Sequence, residues 1–463
     1  MEQKANTKSY TSAFIWVTML FFMWGFMTVM NDVLIPHLKK VFDLNYVQSM
    51  LVQFSFFGAY FIGSVAYYIL SSLHGDPILK IGYKNGILLG LLLSCVGAFL
   101  FFPAAEFEQY GFFLAALFIL GLGFTLLQIS ANPYVAILGP ERSASARLNL
   151  SQAFNSLGTT IGPLIGGWAI FQYTKEFGLT GSDAVKIPYL VFGIIFVLLL
   201  VVIALAKLPK MTNSESTEKK PRAFAFPQLR FGMFAIFFYV GAEVSIGSFL
   251  VNYLGHSSIA GLDEAAASSF LALYWGGQMI GRFLGAISLS NMKNKFLKNA
   301  LMIVIPILAF IIIGLNYGFR ETYPYLILLV VNYIAFKLGR SIANKTLYIF
   351  AIFNICLLIV SLIFGGFVSM WAVLGIGLFN SIMWSNIFTL SIAKLDHHTN
   401  QGSSLLVMMI VGGAVLPLFM GFVADQVGII TSMVVPIICY IYIAFFGIYG
   451  YKPKDASLID KTE

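Results

Sequence analysis

The residues of this chain that could do chemistry are carboxyl, amide and aromatic side chains standing inside long apolar runs. Asp32 ends a cluster with Thr28 and Asn31 in the first run. Thr28 and Asp32 are four residues apart and share a helix face. A carboxyl group there is a titrating group suited to proton coupling, a paired structural charge, or a group near the interface. Glu243, in YVGAEVSIGSFLVNYL, is the second carboxyl group well inside a run. It reads as a further titrating or cation-coordinating group, or as a structural partner for a nearby donor.

The amides follow helical spacing as well. Gln128 and Asn132 are four residues apart and Pro133 follows at once, which frees a backbone carbonyl and kinks a helix. Such amides can exchange hydrogen bonds with sugar hydroxyls or with a neighbouring helix. Asn149, Gln152, Asn155 and Thr159 recur every three or four residues and make one polar stripe. In lipid such a stripe must line a cavity or an interface. Tyr274, Gln278 and Arg282 form another face; the two former could reach a cavity, and Arg282 reads as an inter-helix structural pairing. Asn380, Trp384 and Asn386 place an aromatic wall beside amides, which suits the apolar face and polar edges of a sugar. With 16% aromatic residues, packing is the competing explanation for a single Trp. Gly162, Gly166, Gly167, Gly412 and Gly413 read as close helix approach.

The elements that carry these residues follow from composition. The chain has 463 residues, 59% hydrophobic and 10% charged, with a mean hydropathy of +0.86. Soluble domains carry roughly 25% charged residues, so the solvent over most of this surface is lipid. Apolar blocks of about 20 residues mean spanning helices, and the alternating segments of a membrane β-barrel are absent. Fourteen spans are expected: 13–38, 47–71, 85–103, 110–138, 146–171, 187–206, 228–254, 264–288, 298–316, 323–338, 343–366, 370–393, 402–424 and 430–451. The first block runs on without a signal-cleavage site and reads as the first span.

Charge sets the topology. With the N-terminus inside, 22 of the 28 Lys and Arg fall in inner loops and tails, five in outer loops, and Arg282 within a span. Both termini are therefore expected in the cytoplasm. The net charge of +8 is spread between spans, which argues against nucleic-acid binding. Cys95, Cys356 and Cys439 sit in apolar segments with no disulfide or zinc spacing. A basic, Ser- and Pro-containing stretch at 207–227 reads as a cytoplasmic linker between an N-terminal six-helix bundle (1–206) and a C-terminal bundle (228–463). The two surplus spans are placed in an inserted hairpin at about 298–338. The fold class is thus an all-α polytopic membrane protein built as two six-helix bundles plus a transmembrane hairpin.

Four stretches carry a resemblance: NDVLIPHL at 31–38, ISANPYVAILGPERSASARLNLSQAFNSLG at 129–158, YVGAEVSIGSFLVNYL at 239–254, and QGSSLLVMMIVGGAVLPLFMGFVAD at 401–425. On these the chain resembles the fucose/galactose/glucose symporter family of the major facilitator superfamily, over nearly all of its length outside the hairpin. The resemblance implies proton coupling at Asp32, sugar contact at Gln152 and Asn155, and an aromatic sugar wall at Trp384. The family has a coupling glutamate where this chain has Gln128, which cannot titrate. Glu243, where the fucose branch has an amide, is the candidate replacement, and the chain looks more like the glucose-type branch.

The expected function is import of a hexose by symport with H+ or Na+ through alternating access. Gln128, Gln152, Asn155, Asn380, Trp384, Asn386, Tyr274 and Gln278 are the expected sugar contacts. Asp32 and Glu243 are the expected coupling groups, and Asn31, Asn132, Pro133 and Arg282 gating or structural residues. The alternative is an uncoupled facilitator. No catalytic cluster accompanies the five His residues, so no enzyme is expected, nor a cofactor or metal. The expected partners are a small neutral sugar and membrane lipid, with no protein partner and a monomeric state in a bacterial-type inner membrane.

Overall fold

Inside a bilayer every backbone N–H and C=O must find its partner within the protein, and a helix meets that demand within one segment. The computed structural model describes residues 7–74, 77–138, 144–173, 176–179, 181–209, 223–289, 292–395 and 399–452, and no strand occurs among them. Fourteen long rods carry the fold. The first six are α1 (Thr7–Val41), α2 (Tyr46–His74), α3 (Tyr83–Phe99, extended by Phe101–Glu106), α4 (Tyr110–Ile137), α5 (Ala144–Gly167, running into π-helical turns at Trp168–Tyr173) and α6 (Lys186–Leu205). Then come α7 (Pro227–Gly255), α8 (Glu264–Ser288), α9 (Lys295–Tyr317), α10 (Phe319–Leu338) and α11 (Ala343–Ile363). The last three are α12 (Gly366–Asn380, resuming as Met383–Ser391), α13 (Thr399–Met408, then a 3-10 turn into Gly412–Val427) and α14, which covers Ile429–Gly450 in short helical pieces.

Eleven of these segments are long and apolar enough to cross a membrane. The three that fall short are α5, α8 and α10. The first two are the rods with polar stripes, and they pack along each other across the boundary between the halves. Their polar stripes are thereby turned away from lipid, as the cost of a polar group in hydrocarbon requires. The second inter-half contact is α2 against α13.

Within each half some rods are packed closely through glycine. A Cβ on Gly25 of α1 would lie 2.1 Å from the Asn155 carbonyl oxygen of α5, and one on Gly412 of α13 would lie 1.9 Å from the Phe237 carbonyl oxygen of α7. Only glycine lets backbones approach so closely.

The inserted hairpin is α9 and α10. It leans on α8, α11 and α12 and leaves the register of the later rods undisturbed. On α9 only Met302, Pro306 and Gly314 are buried, so this rod presents its apolar surface outward, as a lipid-facing helix does. Most of the expected linker, residues 210–222, lies outside the described residues. An even number of rods brings both described chain ends to one face of the molecule, here called the terminal face; the other is the distal face.

Candidate functional site

A cavity of about 800 Å3, counting the part open to solvent, lies between the halves. The first half contributes Trp24, Thr28 and Asp32 from α1, Gln53, Phe57 and Tyr60 from α2, Gln128 from α4, and Gln152, Asn155 and Thr159 from α5. The second contributes Glu243 from α7, Trp275, Gln278 and Arg282 from α8, Trp384 from α12 and Ile410 from α13. The wall is thus amides, two carboxyl groups, a guanidinium and large aromatic rings.

Asp32 is 2% exposed. Its Oδ1 accepts from Gln53 Nε2 and from Ser248 Oγ, both at 3.0 Å. Gln53 Nε2 also donates to Ser248 Oγ at 2.8 Å, and Asn31 Nδ2 donates to Gln53 Oε1 at 3.3 Å. Ser248 belongs to α7, so this triangle joins the two halves. Gly247 next to it keeps the space: a Cβ there would lie 2.9 Å from the Trp275 ring and 3.2 Å from Asp32 Oδ2.

Glu243 is held differently. Tyr239 OH donates to its Oε1 at 2.6 Å, and Gln278 Nε2 donates to the same oxygen. Both partners belong to the same half, and the carboxyl group is only partly buried, at the cavity wall. Gln128 is 4% exposed and its Oε1 accepts no hydrogen bond from the described residues. A buried acceptor left so costs about 1–3 kcal/mol, which a donor entering the cavity would offset. Asn155 Nδ2 donates to the Phe21 carbonyl at 3.0 Å, an anchor that the close α1–α5 approach supplies. Trp384 stacks on Phe388 with centroids 5.0 Å apart, which fixes one ring face and leaves the indole at the cavity.

The structure therefore brings Asp32, Glu243, Gln128, Gln152, Asn155, Gln278, Arg282 and Trp384 to one cavity. It keeps other expected residues out of it. Asn380 is fully buried behind the wall, where its Oδ1 accepts from Asn354 Nδ2 at 2.9 Å and Tyr440 OH at 2.7 Å, and its Nδ2 donates to Tyr274 OH at 3.0 Å. The expectation that Asn380 shares a face with Trp384 assumes an unbroken helix. The chain turns at Ser381–Ile382 between the two parts of α12, and this rotates one residue away from the other. Tyr274 is correspondingly corrected from cavity to core: it is fully buried, with its hydroxyl on the Glu243 carbonyl at 3.1 Å. The α8 stripe that meets the cavity is Trp275, Gln278 and Arg282. Asn386 is likewise corrected; it donates to the Ala343 carbonyl at 3.0 Å and lines a smaller crevice beside the cavity.

Asn31 and Asn132 do not line the cavity wall. Asn31 supports Gln53, and Asn132 Oδ1 is buried without a partner among the described residues. The side chains of Pro133 and Asn149 lie outside the described residues. Sequence reasoning missed Trp24, Gln53, Phe57, Tyr60 and Trp275. A signal for the α2 set exists: Gln53, Phe57 and Tyr60 are spaced by four and three residues, one helix face with an amide inside an apolar run. Trp24 likewise continues the Thr28–Asp32 stripe by one turn. No group of three or more metal-ligating side chains occurs among the described residues. Cys95 and Cys439 are buried free thiols and Cys356 is an exposed one.

Comparison with known proteins agrees with this architecture. The family model described as Major Facilitator Superfamily matches residues 15–344. The chain is 41% identical over 454 residues to a protein of Brucella abortus named glucose/galactose transporter, covering 97% of each chain. It is 30% identical over 467 residues to the L-fucose-proton symporter of Escherichia coli, covering 96% of this chain and 94% of that one. Among solved structures, the transporter FucP in its outward conformation superposes with a TM-score of 0.67 at 29% identity, covering 96% of this chain and 99% of that one. The chain is a multi-pass membrane transporter of the Major Facilitator Superfamily and belongs to the branch that holds these relatives.

Proposed function

We propose that this transporter imports a hexose-class sugar together with a cation, H+ or Na+, by alternating access of the central cavity. The observation that carries the reading is the convergence of Gln128, Gln152, Asn155 and Gln278 with Trp384, Asp32 and Glu243 on one cavity between the halves. Amides both donate and accept, as sugar hydroxyls demand, and an indole face suits the apolar side of the ring. The names of the relatives, glucose/galactose transporter and L-fucose-proton symporter, support the same class of cargo. Asp32 serves coupling, because its partners come from both halves. Coupling then means that cation and sugar together favour one conformation over the other. The excess of Lys and Arg in alternate loops supports a cytoplasmic terminal face in an inner membrane.

Purified protein in proteoliposomes tests this with glucose, galactose, mannose and fucose under an imposed pH or sodium gradient. The expected result is accumulation of one sugar above its outside concentration under one gradient. No uptake of any sugar rejects the reading.

An uncoupled facilitator is the second reading, favoured by Gln128 at the position where the family resemblance implies a glutamate. Equilibration without accumulation under either gradient would select it.

A further inference from the structure

The contacts that close the two faces of the cavity differ in kind. At the distal face several separate contacts join the halves. Asp425 near the end of α13 accepts from the Tyr46 and Val47 N–H groups at the start of α2, both at 3.2 Å. The Tyr46 ring stacks on Phe249 of α7 with centroids 5.8 Å apart, and Lys40 faces Glu264 at 3.9 Å. Ser248 adds its bond to Asp32.

Toward the terminal face a single side chain, Arg282, makes bonds to both halves. Arg282 of α8 reaches across to α5, where its Nη1 donates to Ser156 Oγ at 2.6 Å and to the Gln152 carbonyl at 3.2 Å. Within its own half, Nε donates to the Ser381 carbonyl at 3.4 Å, at the break in α12, and Nη2 to Gln278 Oε1 at 3.4 Å. The flat guanidinium carries five donors, enough to serve all four acceptors at once; a lysine would not span them. None of the salt bridges among the described residues involves Arg282. A charge with only neutral acceptors is bound more loosely to them than to a carboxylate, which suits a contact that must be released.

Its position adds a second, independent observation. Arg282 lines both the central cavity and the smaller crevice formed by Gly285, Ala286, Leu289, Ile382, Ser385 and Asn386. Leu289 follows the last residue of α8, so this crevice lies on the terminal side. The guanidinium thus stands between the cavity and a path toward that face.

We propose that Arg282 is the latch of the gate on the terminal side. It ties α5 to α8 and to the α12 break, and it releases Ser156 and Gln152 when the halves part there. Ser156 is its shortest partner and the striking surface of the latch in the other half. The inference rests on the alternating-access reading above, but on neither the sugar nor the ion.

Its test therefore uses neither. Spin labels on Leu73→Cys and Lys293→Cys report the separation of the halves at the terminal face, and labels on Glu108→Cys and Ser257→Cys report it at the distal face. All four positions are exposed, Cys356 is replaced by Ser, and the buried Cys95 and Cys439 stay unlabelled. Pulsed electron resonance is measured on the full chain in lipid without sugar. In Arg282→Gln the terminal-face distances are expected to lengthen, with the open population raised about tenfold or more, and the distal pair not to lengthen. If Arg282→Gln does not fold, Ser156→Ala removes the shortest bond and is expected to move the distances the same way by a smaller amount. Distances that superpose on those of the unsubstituted chain in the folded variant overturn the latch. A failure of sugar uptake leaves this result standing, so the two readings fail separately.

Discussion

The two carboxyl groups of the cavity live in different surroundings. Asp32 is sealed away and bonded to donors from both halves, Gln53 of α2 and Ser248 of α7. Glu243 is half-open to the cavity and bonded only within its own half, by Tyr239 and Gln278. The first set contains bonds that exist only while the distal side is closed: parting α1 and α2 from α7 breaks both bonds of Ser248, while Gln53 stays on Asp32 within the first half. The second survives any rigid movement of the halves. On the proposed function, this difference makes Asp32 the conformation-sensing group and Glu243 a cargo contact on a cavity that Trp384 also lines.

The sharpest way to break that division is Asp32→Asn. It keeps the shape but removes the ionisable group. Gradient-driven accumulation in proteoliposomes is expected to vanish, while exchange of labelled for unlabelled sugar continues. Loss of both together would mean that Asp32 is a binding group like any other. Next in size is Glu243→Gln. A hydrogen bond to a charged group contributes about 1.5–3 kcal/mol, so sugar affinity by calorimetry is expected to fall by roughly tenfold to a hundredfold. The ratio of ion to sugar carried should not change; a changed ratio would move Glu243 to the coupling side of the comparison.

Trp384→Ala removes the aromatic wall without touching either carboxyl group. Affinity is expected to weaken by about two- to tenfold, in keeping with about 0.5–1.5 kcal/mol for an aromatic contact. The thermal stabilisation given by sugar should shrink in parallel. The smallest effect is expected from Ser248→Ala, which deletes its bond to Asp32 and the one it accepts from Gln53, each of order 1 kcal/mol. Labels at Glu108 and Ser257 should then show a few-fold larger population with the distal side open. An unchanged distribution there would show that the Ser248 bonds do not hold the distal side shut.

Much of this could be read along the chain. Fourteen rods follow from the lengths of the apolar blocks, and the hairpin from the surplus of two spans in the second half. Gln128, Gln152, Asn155 and Asp32 are visible because a polar group at helical spacing has no place in lipid. The errors cluster where a helix is not ideal or where a stripe is wide. Asn380 was expected beside Trp384 on the strength of an unbroken α12, and two residues of turn sent it into a core knot with Asn354 and Tyr440. The Tyr274 face was read one residue off, since Trp275 and Tyr274 both border the same stripe and only packing chooses between them.

Composition and periodicity alone determined that this chain is a bundle of membrane helices with polar stripes turned away from lipid, because the solvent penalises any other arrangement of these residues. Which stripes face each other was a matter for the tertiary structure. The bonds of Ser248 to Gln53 and Asp32 join residues 195 and 216 positions apart, and the reach of Arg282 to Ser156 spans 126. Helical spacing specifies a face, not its partner. The partner is selected by backbone approach at glycines such as Gly25 and Gly412, and by satisfaction of hydrogen bonds across the halves.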